Sequence, residues 1–333
     1  MKTGPDCTFG AAALQRHLAA VKQEVDGVRA AADIEHIHRM RVASRRLRAT
    51  LPLFAKCFPK KLVRAWTRQM KGLTAALGAA RDTDVQLELL HQVEAATGEA
   101  RFKPGLRRLA LRITQHRSQL QGDVVAALDK LEAAGFYTSL AAALAPFLNE
   151  TGGSEPFSYT LYKAAAAAIQ ALLDDFLSYE AYIERPECAL ELHAMRIAAK
   201  KLRYTLEVFA PLYPPEFSSF QAAVKQSQEL LGDIHDCDVW LEYLPGFIET
   251  ERRLTLEYFG HARQFTRLLP GLTFFLENRR QFRADQHAEF IQRWARWREK
   301  DLWAQLRRQV CAPLQPGEIF PPAPAQASTE QPV

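Results

Sequence analysis

Apolar residues in this chain recur at helical spacing. At roughly 100° per residue, Met40, Leu47, Leu51 and Phe54 fall on one side of a helix. Met195, Leu202, Leu206 and Phe209 take matching angles further along. Stretches such as 140–144 and 164–168 are rich in strong helix formers, and period-two alternation is scarce, so the pattern predicts an all-α chain with no sheet. Punctuation divides it. Residues 1–8 lack periodicity, a first helix is expected near Phe9, and another follows Asp33, whose carboxylate suits an N-cap. Pro59 and Pro214 are read as stops for two equivalent helices, and Gly78 and Gly232 as further helix ends. Residues 149–156 form the strongest internal break, and residues 316–333, rich in Pro, Ala, Gln and Ser, read as a disordered tail.

Opposite the apolar stripe lies a cationic one. His38, Arg41, Arg45 and Arg48 span an arc of about 80°, and His193, Arg196, Lys200 and Arg203 repeat it. Arg46 and Lys201 sit at the edge nearer the core. Like charges one turn apart destabilise a helix by a few tenths of a kcal/mol per pair, so packing gives no reason to repeat the arrangement. No acid occurs between Glu35 and Asp82, although that interval carries twelve Lys and Arg residues, among them Lys56, Lys60, Lys61, Arg64, Arg68, Lys71 and Arg81. The whole chain nets only +5. Charge is therefore segregated, and a segregated cationic field recruits polyanions.

The duplication extends downstream. Leu77 to Leu90 matches Leu231 to Leu244, and Lys71 aligns with Lys225, at an offset of 155 residues for the histidines and 154 for the glycines. A unit of this length is too long for a solenoid repeat and suits half of a helical bundle.

The histidine-led motif, His-x-x-Arg-[hydrophobic]-x-x-[Arg/Lys]-[Arg/Lys]-Leu-Arg, followed by Leu-Gly-x-x-x-Asp-x-Asp-Val and occurring twice, resembles the CHAD family, the conserved-histidine α-helical domain. The resemblance covers about residues 9–312. It implies two bundle halves, 9–150 and 156–312, related by a pseudo-two-fold axis, with basic helices lining a central groove that binds inorganic polyphosphate. Some members are associated with polyphosphate granules. The Glu-x-Glu-x-Lys signature of an accompanying triphosphate-tunnel domain does not occur, so a stand-alone member is expected. The residues assigned to the polymer are His38, Arg41, Arg45, Arg48, Lys71, His193, Arg196, Lys200, Arg203 and Lys225, flanked by Arg46, Lys201 and Tyr204. Arginine offers planar bidentate forks to phosphate and lysine a mobile point charge, so the first half should grip in the more fixed geometry.

Other chemistry weighs less. Asp82, Asp84, Asp236 and Asp238 could ligate Mg²⁺ in a metal-dependent phosphohydrolase; following presumed helix ends, they are read instead as first-turn carboxylates, with ion pairs to a neighbouring cationic helix. His235–Asp236 has a metal-dyad look, but Arg81 replaces the histidine in the first copy. His38 and His193 are read as neutral hydrogen-bond donors, because no nucleophile or orienting carboxylate sits at a supporting spacing. Neighbouring guanidinium groups should disfavour their protonation until an anion arrives. The Arg279 to Arg308 segment, with Phe282, Phe290, Trp294, Trp297 and Trp303, has the mixture of a nonspecific nucleic-acid binder, but helical spacing marks its aromatics as core. The expectation is a polyphosphate binder without catalytic residues, metal or cofactor, whose partner is polyphosphate or another polyanion, with nucleic acid ranked below them and no membrane. Five cysteines without a Cys-x-x-Cys pair suit a reduced compartment and so a cytoplasmic protein, and the family resemblance implies association with polyphosphate granules there.

Overall fold

The computed structural model describes residues 4–31, 33–148 and 157–315, and among them no strand occurs. The helix carrying the first cationic stripe is α3, Ile34–Leu53, whose N-cap Asp33 accepts the Glu35 amide at 2.9 Å. Its counterpart is α8, Ala189–Phe209. The apolar faces predicted for both are buried: Met40, Leu47, Leu51, Met195, Leu202 and Leu206 are fully enclosed. Around them run α1 (Pro5–Gln23), α2 (Val25–Ala30), α4 (Lys60–Ala96), α5 (Lys103–Ala133), α6 (Phe136–Leu148), α7 (Tyr159–Leu177), α9 (Ser218–Phe259), α10 (Leu269–Glu299) and α11 (Leu302–Cys311). α3 packs on α1 and α4, α8 packs on α7 and α9, and α3 and α8 also touch each other. One continuous core joins these helices.

A second core lies where α4, α5, α9 and α10 meet away from the basic helices, built on Leu90, Leu106, Leu109, Trp240, Leu244 and Phe275. There α5 and α10 cross at two glycines. A Cβ on Gly105 would lie 2.2 Å from the Leu268 carbonyl oxygen, and one on Gly271 would lie 2.0 Å from that of Phe102. Only glycine permits so close a backbone approach.

Several expectations need correction. The first helix begins at Pro5, four residues before Phe9, with proline in the first turn where its missing N–H costs nothing. Residues 1–3, 149–156 and 316–333, which include the predicted interdomain break and the C-terminal tail, lie outside the described residues. The basic helices end at Leu53 and Phe209, before Pro59 and Pro214; these prolines precede the next elements, as N-caps of α4 and of a 3₁₀ turn. Gly78 and Gly232 end nothing, because α4 and α9 run through them. A helical glycine costs about 1 kcal/mol, less than the burial of neighbours such as Leu77 and Leu231 returns. All four motif aspartates are consequently mid-helix and not first-turn carboxylates.

The cysteine expectation also fails at one pair. α1 lies along α3 and the turn beyond it, which places Cys7 and Cys57 with Cα atoms 5.6 Å apart in a disulfide. Their 50-residue separation conceals the pairing in the sequence. Disulfides persist in oxidising surroundings, so cysteine usage no longer argues for a reduced compartment. The C-terminal aromatics behave as their spacing predicted, with Phe290, Trp294, Trp297 and Trp303 buried in the main core. Among the described residues no single helix is long and apolar enough to cross a membrane.

Candidate polyanion-binding site

Because the apolar faces of α3 and α8 turn into one core and the two helices touch, their polar faces come side by side. The electrostatic neighbours of Lys200 on α8 are Arg45, Arg196, Arg48 and Arg41, three of them from α3. Burial, aided by those charges, lowers the Lys200 ammonium to about 8. Arg196 likewise feels Arg45 and Asp82, and Arg41 is disfavoured by burial and by Arg45. His38, Arg41, Arg45, Arg48, His193, Arg196 and Lys200 thus form one neighbourhood drawn from residues far apart in the chain.

Each leading histidine meets a residue of the following long helix. Burial and the Arg81 guanidinium push His38 below the usual imidazole range. His193 is lowered by burial, Arg196 and Lys200. His193 Nδ1 and His235 Nδ1 are 2.9 Å apart, so one ring donates and the other accepts. Burial, then Arg196 and His193, take His235 down to about 4. Both shifts of the leading histidines, His38 and His193, favour the neutral imidazole.

Four buried nitrogens here find no partner among the described residues: His38 Nδ1, Arg41 Nε, Arg81 Nη1 and Arg196 Nε. Leaving a buried polar atom unpaired costs roughly 1–3 kcal/mol. Three are guanidinium atoms that can only donate. Acceptor oxygens would satisfy them.

The acids divide into two kinds. Asp84 accepts from Arg117 of α5 at 2.7 Å, and Asp238 accepts from Arg283 of α10, so these two carboxylates tie neighbouring helices together. Asp82 accepts from Arg41 at 3.1 Å, whereas Asp236 is raised by burial and by Asp82 and held down by Arg196. The ion-pair half of the sequence reading therefore describes Asp82, Asp84 and Asp238, although helix termini play no part. Among the described residues no cluster of three or more His, Cys, Asp or Glu side chains is arranged to hold a metal ion.

The remaining predicted residues scatter. Arg46 and Arg203 both donate to Glu207, each at 2.9 Å. Lys201 turns to Asp175 of α7 at 3.4 Å, and exposed Lys225 faces Glu229 at 3.6 Å. Lys71 is exposed, and Tyr204 lies within electrostatic reach of Arg41. Sequence reasoning missed Arg81 and His235 as site members, although both occupy the same position in the repeated Leu-Gly-x-x-x-Asp motif, facing the two histidines. It also missed Glu207, which stands one turn after Arg203 and was legible as an i, i+4 partner.

Fold and site together define a class: an all-α protein presenting a cluster of helix-borne cations and imidazoles. The chain belongs to the CHAD family, whose CHAD domain model matches residues 12–245. It is similar to the crystal structure of the CHAD domain from the plant Ricinus communis, with a TM-score of 0.59 and 26% identity over 85% of this chain and 91% of that one. PptA from Streptomyces chartreusis shares the fold at 16% identity, with a TM-score of 0.54 over 88% of this chain and 100% of its own. No curated protein matches the chain.

Proposed function

We propose that this protein binds inorganic polyphosphate through the cationic faces of α3 and α8, and holds the polymer without cleaving it. The observation that carries the reading is the convergence from both halves of buried nitrogens without a partner among the described residues, on Arg41 and Arg196 with His38 and Arg81, beside a Lys200 lowered by burial and by the neighbouring cations. Such a set calls for a ligand with dense acceptor oxygens and charge, and phosphate chains supply both. The association of the CHAD family with polyphosphate and triphosphate ligands supports the choice of phosphate polymer. A stacking polymer is less suited, because Phe290, Trp294, Trp297 and Trp303, the C-terminal aromatics that would serve bases, are in the core, and Phe282 is half-buried. A two-aspartate hydrolase is likewise disfavoured, since Asp84 and Asp238 are engaged by Arg117 and Arg283. Location at a polyphosphate granule is part of the same proposal.

The test is calorimetric titration with polyphosphate, single-stranded DNA and duplex RNA at one salt concentration. Polyphosphate should bind tightest per phosphate, and Arg41→Glu/Arg45→Glu or Arg196→Glu/Lys200→Glu should each weaken it although the other helix is intact. Every charge-assisted bond to phosphate that is removed costs roughly 1.5–3 kcal/mol, so a pair predicts a drop in affinity of at least about a hundredfold. Preference for nucleic acid, or full affinity in both folded double variants, overturns the assignment. Steady phosphate release with Mg²⁺, abolished by Asp82→Asn, would make the protein an enzyme.

A further inference from the structure

The first half carries more cations than the site just described uses. On α4, Lys60, Arg64, Arg68 and Lys71 are exposed, and none is ion-paired among the described residues. At 100° per residue they lie within about 80° of one another, on the same arc as Gly78 and Asp82. That arc faces the site: a Cβ on Gly78 would come within 4.0 Å of Arg41 Nε, and Asp82 accepts from Arg41. The Ser44–Thr74 hydroxyl hydrogen bond fixes the antiparallel register of α3 on α4, and this register sets Arg48 level with Lys71. From Lys71 the ridge continues for a further three turns, about 16 Å, to the start of α4.

Local energetics oppose this arrangement. Cations spaced four residues apart repel, and Lys60 and Lys61 stand in the first turn of a 37-residue helix, where the dipole favours anions. The second half lacks the feature. At the 154-residue offset α9 presents Ser218, Ala222 and Lys225, and Lys225 is answered by Glu229, where α4 has Ala75. An unneutralised ridge on one half only, leading into the cation cluster and ending at a helix N-terminus, is suited to a linear anion that outruns the cluster.

Resting on the polyphosphate reading, we infer that the face of α4 from Lys60 to Lys71 is an outer track for the polymer, along which a long polyphosphate leaves the α3–α8 site in one direction. The protein thereby selects long chains over oligophosphates: triphosphate fills the central cluster, and only a longer chain reaches Arg68, Arg64 and Lys60.

The experiment compares Lys60→Gln/Arg64→Gln/Arg68→Gln with wild type by calorimetry, using tripolyphosphate and long-chain polyphosphate. The variant should bind tripolyphosphate within twofold of wild type and long polyphosphate at least about tenfold more weakly. For the long polymer the slope of log affinity against log salt should flatten by roughly 0.7–0.9 for each phosphate no longer neutralised. The charge-retaining variant Lys60→Arg/Arg64→Lys/Arg68→Lys should keep wild-type affinity for both, which separates charge from damage to α4. Equal weakening for both ligands, or undiminished affinity for the long polymer, overturns the track while leaving the central site standing. Wild type that binds neither ligand overturns the underlying reading as well.

Discussion

Glu207 offers the sharpest handle on how this protein sets its affinity. Its carboxylate accepts from Arg46 of α3 through one oxygen and from Arg203 of α8 through the other, both at 2.9 Å. It is therefore a counterion at the edge of a mainly cationic face, and its presence consumes two guanidinium groups there. Replacing Glu207 by Gln preserves the shape and one acceptor but removes the charge. The two arginines would then be free for phosphate. A fully formed charge-assisted hydrogen bond is worth about 1.5–3 kcal/mol, but Arg46 is 40% exposed and Arg203 21%, so solvent screens a good part of each. A net gain of about 1–2 kcal/mol is reasonable, or roughly 5- to 30-fold tighter polyphosphate binding, and the salt dependence should steepen by up to two phosphates' worth of released counterions. Stability should move the other way, by about 1 kcal/mol or less, because a bridge between α3 and α8 is weakened. Calorimetry at three or more salt concentrations, with urea unfolding in parallel, reads both effects. Unchanged affinity and unchanged salt slope in a folded Glu207→Gln protein would refute the reasoning, showing that Arg46 and Arg203 point away from the polymer whatever their charge state.

Titration and covalent chemistry give two more expected outcomes. Lys200, lowered to about 8 in the free protein, must be protonated to hold phosphate, so affinity should fall as pH rises above 8, with protons taken up on binding; Lys200→Arg, charged throughout, should abolish the trend in calorimetry across buffers of different ionisation enthalpy. Removing the Cys7–Cys57 link, by reductant or by Cys7→Ser/Cys57→Ser, should lower unfolding stability by about 2–4 kcal/mol, and a denaturation midpoint indifferent to reductant would contradict it.

The helical period of Met40, Leu47 and Leu51, and the cationic stripe opposite them, were legible because both are properties of one helix, read from neighbours three and four positions away. The repeat was legible for the same reason. What lay beyond local reading was continuity and pairing. Gly78 and Gly232 look like terminators until packing on both sides of α4 and α9 outweighs their propensity, and that burial belongs to other helices. Cys7 and Cys57 meet only because α1 lies along α3. Which cations remain available for an anion is likewise a tertiary matter. In the sequence Arg41, Arg46, Lys201 and Arg203 are equal members of two basic runs, yet Glu207 and Asp175 answer three of them, while Arg41, despite its bond to Asp82, keeps a buried nitrogen without a partner among the described residues. Charge is written residue by residue, but its neutralisation depends on distance in space, and distances between helices are set only when their apolar faces close on a common core.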